Sequence, residues 1–284
     1  MADTALQKSA KVTGKVAIYI FCILLSVLSI LPFVIMIMNS TRTSVQIQMH
    51  PLSLIPGSNF FANFRPLTVG NFNPWVGFQN SLIISTGATV LATYFSSLTA
   101  YALTAYDWRM KKGFFSFIVA VMMLPAQISA IGFYQFMYSL DLVNNHLPFI
   151  IPAIASPSIV FFMRQYLLAT FSVDIVNAAR IDGAHEFYTF NRIVLPMMKP
   201  AIAMQAIFVF VGSWNQLMLP IILLTNTDKQ TMPIMVRTLN GNFYRTEYGA
   251  IYLGLTLSVI PLFVVYFSLS KYIIAGVQLG GVKE

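Results

Sequence analysis

The feature that most constrains this sequence is a series of long runs that contain no Asp, Glu, Lys or Arg. Six of these runs are long enough to cross a lipid bilayer as an α-helix, which takes about 20 residues. They cover residues 16–38, 78–106, 113–140, 142–163, 200–224 and 248–270. We therefore predict an all-α, polytopic membrane protein with six transmembrane helices, in which a short N-terminal segment (1–15) precedes a single membrane domain (16–284).

Composition and charge support this class. Of the 284 residues, 57% are hydrophobic and 9% are charged, whereas about 25% of the residues in a soluble domain are charged. In a soluble protein the net charge of +8 would suggest nucleic-acid binding, but here the basic residues flank the predicted spans. They therefore indicate membrane topology, and no nucleic acid is expected as a partner.

The distribution of Lys and Arg predicts the orientation of the chain. If the N-terminus is cytoplasmic, twelve of the seventeen basic residues fall on the cytoplasmic side and five on the outer side. This asymmetry fits the positive-inside rule. We therefore expect both termini to lie in the cytoplasm, together with residues 171–200, which we call the charged loop.

The charged loop contains start and stop signals for short helices. Ser172 is placed as an N-cap, because its hydroxyl can accept a hydrogen bond from a free backbone N–H, and Asp174 adds negative charge at the positive end of the helix. Gly183 supplies the backbone freedom that ends helices. A second short helix is predicted over residues 184–195, because Pro196 prevents its smooth continuation.

The order of small and apolar residues in the charged loop is more specific than its charge. The loop contains in turn Ala178-Ala179, Gly183 and Ile193-x-Leu195-Pro196. This order resembles the cytoplasmic "EAA" loop of the permease subunits of ATP-binding-cassette (ABC) importers, and the surrounding chain resembles the MalG-like, carbohydrate branch of that family. The leading glutamate of the family is replaced by Asn177. A merely amphipathic loop would account for the charges but not for this order.

This resemblance implies a MetI-like ABC importer permease fold with a cytoplasmic coupling helix, in the inner membrane of a bacterium. Its implied partners are a second MalG- or MalF-type permease in a heterodimer, two ABC ATPase subunits, an extracytoplasmic solute-binding protein, a sugar or oligosaccharide, and membrane lipid. The two small alanine side chains would let the ATPase surface approach closely. The candidate ATPase-coupling residues are Asn177, Ala178, Ala179, Arg180, Asp182, Gly183, Leu195 and Pro196.

The energy source is expected to lie outside this chain. No phosphate-binding G-x-x-x-x-G-K-[ST] string occurs, so no cofactor is expected here, and ATP and Mg²⁺ would be used by the ATPase. Ion-driven carriers usually place acidic residues within their spans, and the predicted spans contain none. The three His and the single Cys form no cluster suited to catalysis or a metal, so we predict a noncatalytic subunit without a metal site.

Amides and prolines inside the predicted spans indicate the translocation path, because polar groups at membrane depth must face protein or a water-filled route. The candidates are Gln127, Gln135, Trp214, Asn215 and Gln216. The Trp214-Asn215-Gln216 segment, followed by Pro220, also resembles a segment of MalG-like subunits, and an indole can stack on a sugar ring. The same segment could instead form a hydrogen-bond node between helices or an aromatic anchor at the outer interface.

Roles are also predicted for segments outside the charged loop and the path. The stripe of small residues at Ala88, Ala92, Ser96 and Ala100 is assigned to helix packing. Residues 39–77 are expected to carry some structure of their own on the outer side. Asn240, Gly241 and Asn242 are candidates for contacting the binding protein, or they form a solvated loop, and the glycine-rich tail 271–284 is similar to family tails that reach into the ATPase dimer or is disordered.

The sequence therefore predicts a permease subunit of an ATP-driven, binding-protein-dependent sugar or oligosaccharide importer. An importer of another solute class, such as peptides, would share the charged loop and differ in the path. A carrier that works without ATP is the other alternative. Nothing in the residues indicates which sugar is carried or which second permease is paired with this chain.

Overall fold

The structure is a computed structural model that describes residues 2–68, 72–124, 130–239 and 247–281, with side chains described from residue 14 to residue 270 within these ranges. Every element in this part of the chain is helical, so the all-α prediction is confirmed. The chain divides into two compact units, one formed by residues 1–72 and 238–257 and the other by residues 73–237 and 258–284.

The helices follow one another along the chain in this order: α1 Ala2–Ser40, α2 Ser44–Met49, α3 Phe60–Phe64, α4 Pro74–Ala105, α5 Lys111–Met122, α6 Ala130–Ser139, α7 Leu147–Ile150, α8 Pro157–Thr170, α9 Val173–Ile181, α10 Glu186–Thr189, α11 Leu195–Met197, α12 Lys199–Trp214, α13 Met218–Leu223, α14 Met232–Thr238 and α15 Tyr248–Gly281. A π-helical turn, Phe190–Val194, joins α10 to α11.

Four helical segments are long and apolar enough to cross a bilayer. They are Gly14–Ser40, Pro74–Ala105, Leu147–Thr170 and Tyr248–Ser270. A fifth is obtained if Glu186–Met197 and Lys199–Trp214, which meet at an angle of 79°, are counted as one broken span. The six-span count therefore stays a prediction.

Two predicted spans are divided in the structure. The window 113–140 corresponds to α5 and α6, which are 12 and 10 residues long and are separated by residues that include 125–129, outside the described part. The window 200–224 corresponds to α12 and α13, with a break at residues 215–217. The window 142–163 differs from the candidate span at both ends, because that span begins at Leu147 and continues past Arg164 to Thr170.

In the unit formed by residues 1–72 and 238–257, the segment after α1 is held by a buried arginine. Arg42, which is 6% exposed, donates to the Asn39 Oδ1 atom at 3.0 Å and to the carbonyl oxygens of Gln46 at 3.0 Å and His50 at 2.7 Å. Asn63 in turn donates to the Arg42 carbonyl at 2.9 Å. These bonds satisfy a buried cation with neutral acceptors, and this part of the segment 39–77 has structure of its own.

In the unit formed by residues 73–237 and 258–284, α4 is the central element. Its stripe of small residues is buried, and α4 packs against α8 and α12. The prediction that this stripe serves packing is confirmed. A buried cluster at one end of the unit includes Met163 and Leu167 of α8, Val176 of α9 and Phe190 of the π-helical turn. The charged loop is therefore packed against the buried core of this unit.

Candidate functional site

The first half of the charged loop forms the helix that its sequence predicts. The Ser172 hydroxyl accepts from the Asp174 N–H at 3.2 Å, and α9 begins at Val173. Gly183 has a φ of +78°, the left-handed region in which glycine has no steric penalty. The Ala184 N–H donates to the Ala179 carbonyl at 2.9 Å and the Gly183 N–H to the Arg180 carbonyl at 3.0 Å, the two bonds of a Schellman motif.

The two alanines of α9 do not share a surface. Ala178 is exposed, whereas Ala179 is 5% exposed and lies on the buried side of the helix with Val176. Neighbouring positions in an α-helix point about 100° apart, so one face cannot present both. The expectation of a single alanine-faced surface is therefore wrong: Ala178 is available to a partner and Ala179 packs inside the chain.

Large apolar side chains of α9 and α10 lie exposed as well, and the sequence pattern did not single them out. Ile181 at the end of α9 is 86% exposed, and Phe187 and Tyr188 in α10 are 69% and 56% exposed. We call Ala178, Ile181, Phe187 and Tyr188 the apolar rim. In a loop this rich in charge, such exposed side chains mark an interaction surface.

A polar cluster joins α9, α10 and the end of α4. We call it the Glu186 cluster; its members are Tyr101, Tyr106, Asn177, Arg180 and Glu186. Arg180 Nε lies 2.7 Å from Glu186 Oε1 in a salt bridge, and Arg180 Nη1 donates to Asn177 Oδ1 at 3.2 Å. The Tyr106 hydroxyl donates to Glu186 Oε2, and the Tyr101 hydroxyl lies 3.4 Å from the same oxygen.

In the Glu186 cluster, the protonation states of the carboxylate and of the neighbouring phenol favour the hydrogen bond between them. The hydrogen bond from Arg180, followed by that from Tyr106, holds the pKa of Glu186 below its ordinary value, so the carboxylate stays ionised at neutral pH. Burial, followed by the hydrogen bond to Glu186, raises the pKa of Tyr106. Tyr106 therefore remains a neutral O–H donor. The guanidinium of Arg180 also lies 5.3 Å from the centroid of the Tyr106 ring.

Asn177 and Arg180, both predicted coupling residues, thus contact each other, while Asp182 is exposed at the C-cap of α9. Glu186, Tyr101 and Tyr106 were missed by the sequence analysis. Tyr106 and Glu186 are 80 residues apart, and no local pattern links positions at that separation.

The second half of the charged loop continues further than predicted. Pro196 does not end the helix, which runs to Met197 and bends only at Met198. The wider π-helical turn accommodates the proline, since the Leu195 N–H donates to the Phe190 carbonyl five residues back. Leu195 is half-buried and Pro196 is exposed.

The candidate path residues lie in different environments. Trp214 is 1% exposed, its indole N–H donates to the Ser258 carbonyl at 3.0 Å, and its ring lies 5.7 Å from that of Phe210 in a stacked arrangement. These contacts match the hydrogen-bond node and leave no indole face open to a sugar in this conformation. Asn215 is exposed and Gln216 half-buried at the end of α12.

Of the other candidate path residues, Gln135 is exposed on α6. Gln127 and the binding-protein candidates 240–242 lie outside the described residues.

The all-helical fold, its long apolar spans and the charged loop define a polytopic membrane permease. The chain belongs to the family of binding-protein-dependent transport system inner membrane components, whose sequence profile matches residues 92–278. The matched region includes α9, the apolar rim and residues 92–105 of α4.

Two relatives are similar over most of their length. The chain is 34% identical over 258 residues to the arabinooligosaccharides transport system permease protein AraQ of Halalkalibacterium halodurans, covering 90% of this chain and 92% of the relative. It is 30% identical over 256 residues to the lactose transport system permease protein LacG of Rhizobium radiobacter, again covering 90% and 92%.

A solved structure shares the fold. It is a crystal structure of a bacterial ABC transporter involved in the import of the acidic polysaccharide alginate, and one of its chains matches with a TM-score of 0.77 at 22% identity. The match covers 93% of this chain and 98% of that one. The chain therefore has the MetI-like fold of an ABC transporter permease.

Proposed function

We propose that this chain is one of two permease subunits of an ATP-driven, binding-protein-dependent importer of sugars or oligosaccharides. The observation that carries the proposal is the apolar rim, which is presented by α10 and by α9, a helix that is capped at both ends and packed against the buried cluster. Membership of the permease family and the names of its sugar-transporting relatives support the substrate class.

The apolar rim suits insertion into a cleft on an ATPase subunit. Ile181 and Phe187 supply large apolar side chains, and Ala178 supplies a low surface beside them. Burying such side chains stabilises an interface by about 25 cal/mol per Å² of apolar surface. Of the predicted coupling residues, Arg180 donates to Asn177 Oδ1 within α9, and this bond supports the helix that carries Ala178 and Ile181.

The Glu186 cluster transmits movement of α9 to the membrane helices. Arg180 in α9 bonds to Glu186 in α10, and Glu186 bonds to Tyr106 at the end of α4. Val176 of α9 is meanwhile packed in the same buried cluster as Tyr101 and Phe190. A displacement of α9 must therefore move α4 or break these contacts.

In this scheme, two ATPase subunits bind and hydrolyse ATP with Mg²⁺, and this chain binds neither. Closure of the ATPase dimer pulls the apolar rim, and the paired permeases reopen toward the outer side, where a solute-binding protein releases its sugar. The ATPase can shift this equilibrium only through contacts that differ between the two states. Residues 240–242 remain the candidates for the binding-protein contact. We further propose that the charged loop and both termini lie in the cytoplasm of a bacterium.

The test uses the whole transporter, purified with its partner permease and ATPase and reconstituted in liposomes. Ala178→Trp is expected to reduce retention of the ATPase and to abolish ATP-dependent sugar uptake, because the bulky ring blocks close approach. The matched control is Ala62→Trp, which changes an exposed alanine in α3 of the other unit. Normal uptake by Ala178→Trp, or sugar uptake by the two permeases without the ATPase, would contradict the proposal.

A further inference from the structure

A second charged site lies beside the end of α4, where the chain turns into α5. It is a cavity of about 840 Å³ whose lining contains four basic residues, Arg109, Lys111, Lys112 and Arg164. We call it the basic cavity. One carboxylate, that of Asp107, also lines it. Among the residues whose side chains the structure describes, none of the four cations forms a salt bridge.

Arg164 is held in the cavity by aromatic packing. Its guanidinium carbon lies 4.0 Å from the centroid of the Phe115 ring, and Phe115 stacks on Phe161 with centroids 6.0 Å apart. The Arg164 Nε atom is buried and has no hydrogen-bond partner in the described part of the chain, so a ligand in the cavity would bond to the two Nη groups of the same guanidinium. A guanidinium that lines a cavity without a carboxylate partner is suited to an anion with several oxygen atoms.

The other cations surround the same space. Lys111 Nζ donates to the Tyr106 carbonyl at 2.7 Å, which fixes its ammonium group at the end of α4. Arg109 and Lys112 are exposed. Helix α5 begins at Lys111 and has no side-chain N-cap, so its N-terminal backbone adds positive potential. A tetrahedral phosphate group matches this combination of guanidinium, ammonium and backbone donors.

Apolar side chains in and beside the basic cavity indicate which kind of molecule carries the phosphate. Trp108, which lines the cavity, is 41% exposed, and its ring lies 5.9 Å from that of Phe114, which is 42% exposed. Met110 is 71% exposed. Trp is favoured where a membrane meets water, and apolar side chains beside a basic cavity can contact an acyl chain.

We propose that the basic cavity binds the phosphate of an anionic glycerophospholipid headgroup at the membrane surface. The site lies on the same side of the protein as the charged loop, since Tyr106 bonds both to Lys111 through its carbonyl and to Glu186 through its hydroxyl. Bound lipid would therefore brace the end of α4 against which α9 acts.

The test measures binding directly, on the complete transporter in nanodiscs of phosphatidylcholine mixed with phosphatidylglycerol. Native mass spectrometry counts the phosphatidylglycerol molecules retained by the complex. The double variant Arg109→Gln/Lys112→Gln changes two exposed side chains and is expected to bind the headgroup about thirtyfold more weakly, losing one retained lipid. Arg164→Gln is expected to lose the same lipid. The matched control is Arg65→Gln/Arg237→Gln, two exposed arginines that do not line the cavity.

A second arm distinguishes lipid from free phosphate. Inorganic phosphate is titrated against the complex in nanodiscs of phosphatidylcholine alone, and its effect on the thermal melting temperature is recorded. No shift, together with lipid loss in the cavity variants alone, supports the proposal. A shift abolished by Arg164→Gln would assign the cavity to soluble phosphate and overturn the lipid assignment. Equal lipid retention by cavity and control variants, or loss of the ATPase in place of lipid, would also overturn it.

Discussion

Two polar clusters flank the end of α4, and they treat charge in opposite ways. In the Glu186 cluster, Arg180 has a carboxylate at 2.7 Å and an amide at 3.2 Å. In the basic cavity, Arg164 lies on a ring face with a buried nitrogen that no described residue satisfies. A cluster that is internally satisfied can transmit force, whereas one with unused donors is suited to bind a ligand.

The largest effect is expected from removing the centre of the satisfied cluster. Glu186→Ala should reduce sugar uptake by about tenfold, the scale of a lost charge-assisted hydrogen bond, while the ATPase still binds through the apolar rim. The measurement is uptake against ATP hydrolysis in liposomes. Asp174→Ala, which removes an exposed carboxylate of the same loop outside the cluster, is the control and should leave their ratio unchanged. Equal effects of both changes would show that Glu186 contributes no more to coupling than another exposed carboxylate of the loop.

A smaller effect is expected from the basic cavity. Arg164→Gln should lower uptake by about fivefold in membranes that contain phosphatidylglycerol, the scale of one basic residue's attraction to an anionic surface. In phosphatidylcholine alone, wild type and variant should transport equally. If Arg164→Gln lowers uptake to the same extent in both membranes, Arg164 acts through packing within the protein and not through lipid binding.

Tyr106 belongs to the Glu186 cluster and also contacts Lys111 of the basic cavity through its carbonyl, so it allows a finer comparison. Tyr106→Phe keeps the ring and the carbonyl that Lys111 contacts but removes the hydroxyl that donates to Glu186. We expect uptake to fall by about threefold, because Arg180 still bonds to the Glu186 carboxylate when the hydroxyl is removed, and phosphatidylglycerol retention to stay the same. A loss of retained lipid in this variant would show that the hydroxyl supports the cavity as well.

The smallest effect is expected from acid. Because the pKa of Glu186 is held below its ordinary value of 4.5, its contribution to stability is fully present above that pH and is lost as the pH falls through the lowered folded-state value. The melting temperature of wild type should therefore exceed that of Glu186→Gln at neutral pH, and the two should converge on acidification. A constant difference down to pH values below the folded-state pKa would show that the charge of Glu186 does not stabilise the loop.

Local signals made much of the charged loop predictable. Ser172 and Gly183 bound α9 as their chemistry requires, and the small residues of α4 are buried as their spacing indicates. The family order of residues also located the loop. These features depend on neighbours within a few positions, which a sequence displays directly.

The rest depends on contacts between distant positions. Arg164 ended a charge-free window, yet α8 continues past it to Thr170, with the guanidinium over the Phe115 ring. Glu186 had no evident partner until folding brought it to Tyr106. The direction of Ala179 is likewise set by the buried cluster behind α9 and not by the size of its side chain.

The bend at Met198 gives the charged loop a mechanical consequence. Its second half and α12 meet at 79°, close to a right angle. Under the proposed coupling, a force along the first axis would have little component along the second. Movement imposed at the membrane surface would therefore tilt α12 within the membrane and would not slide it along its own length.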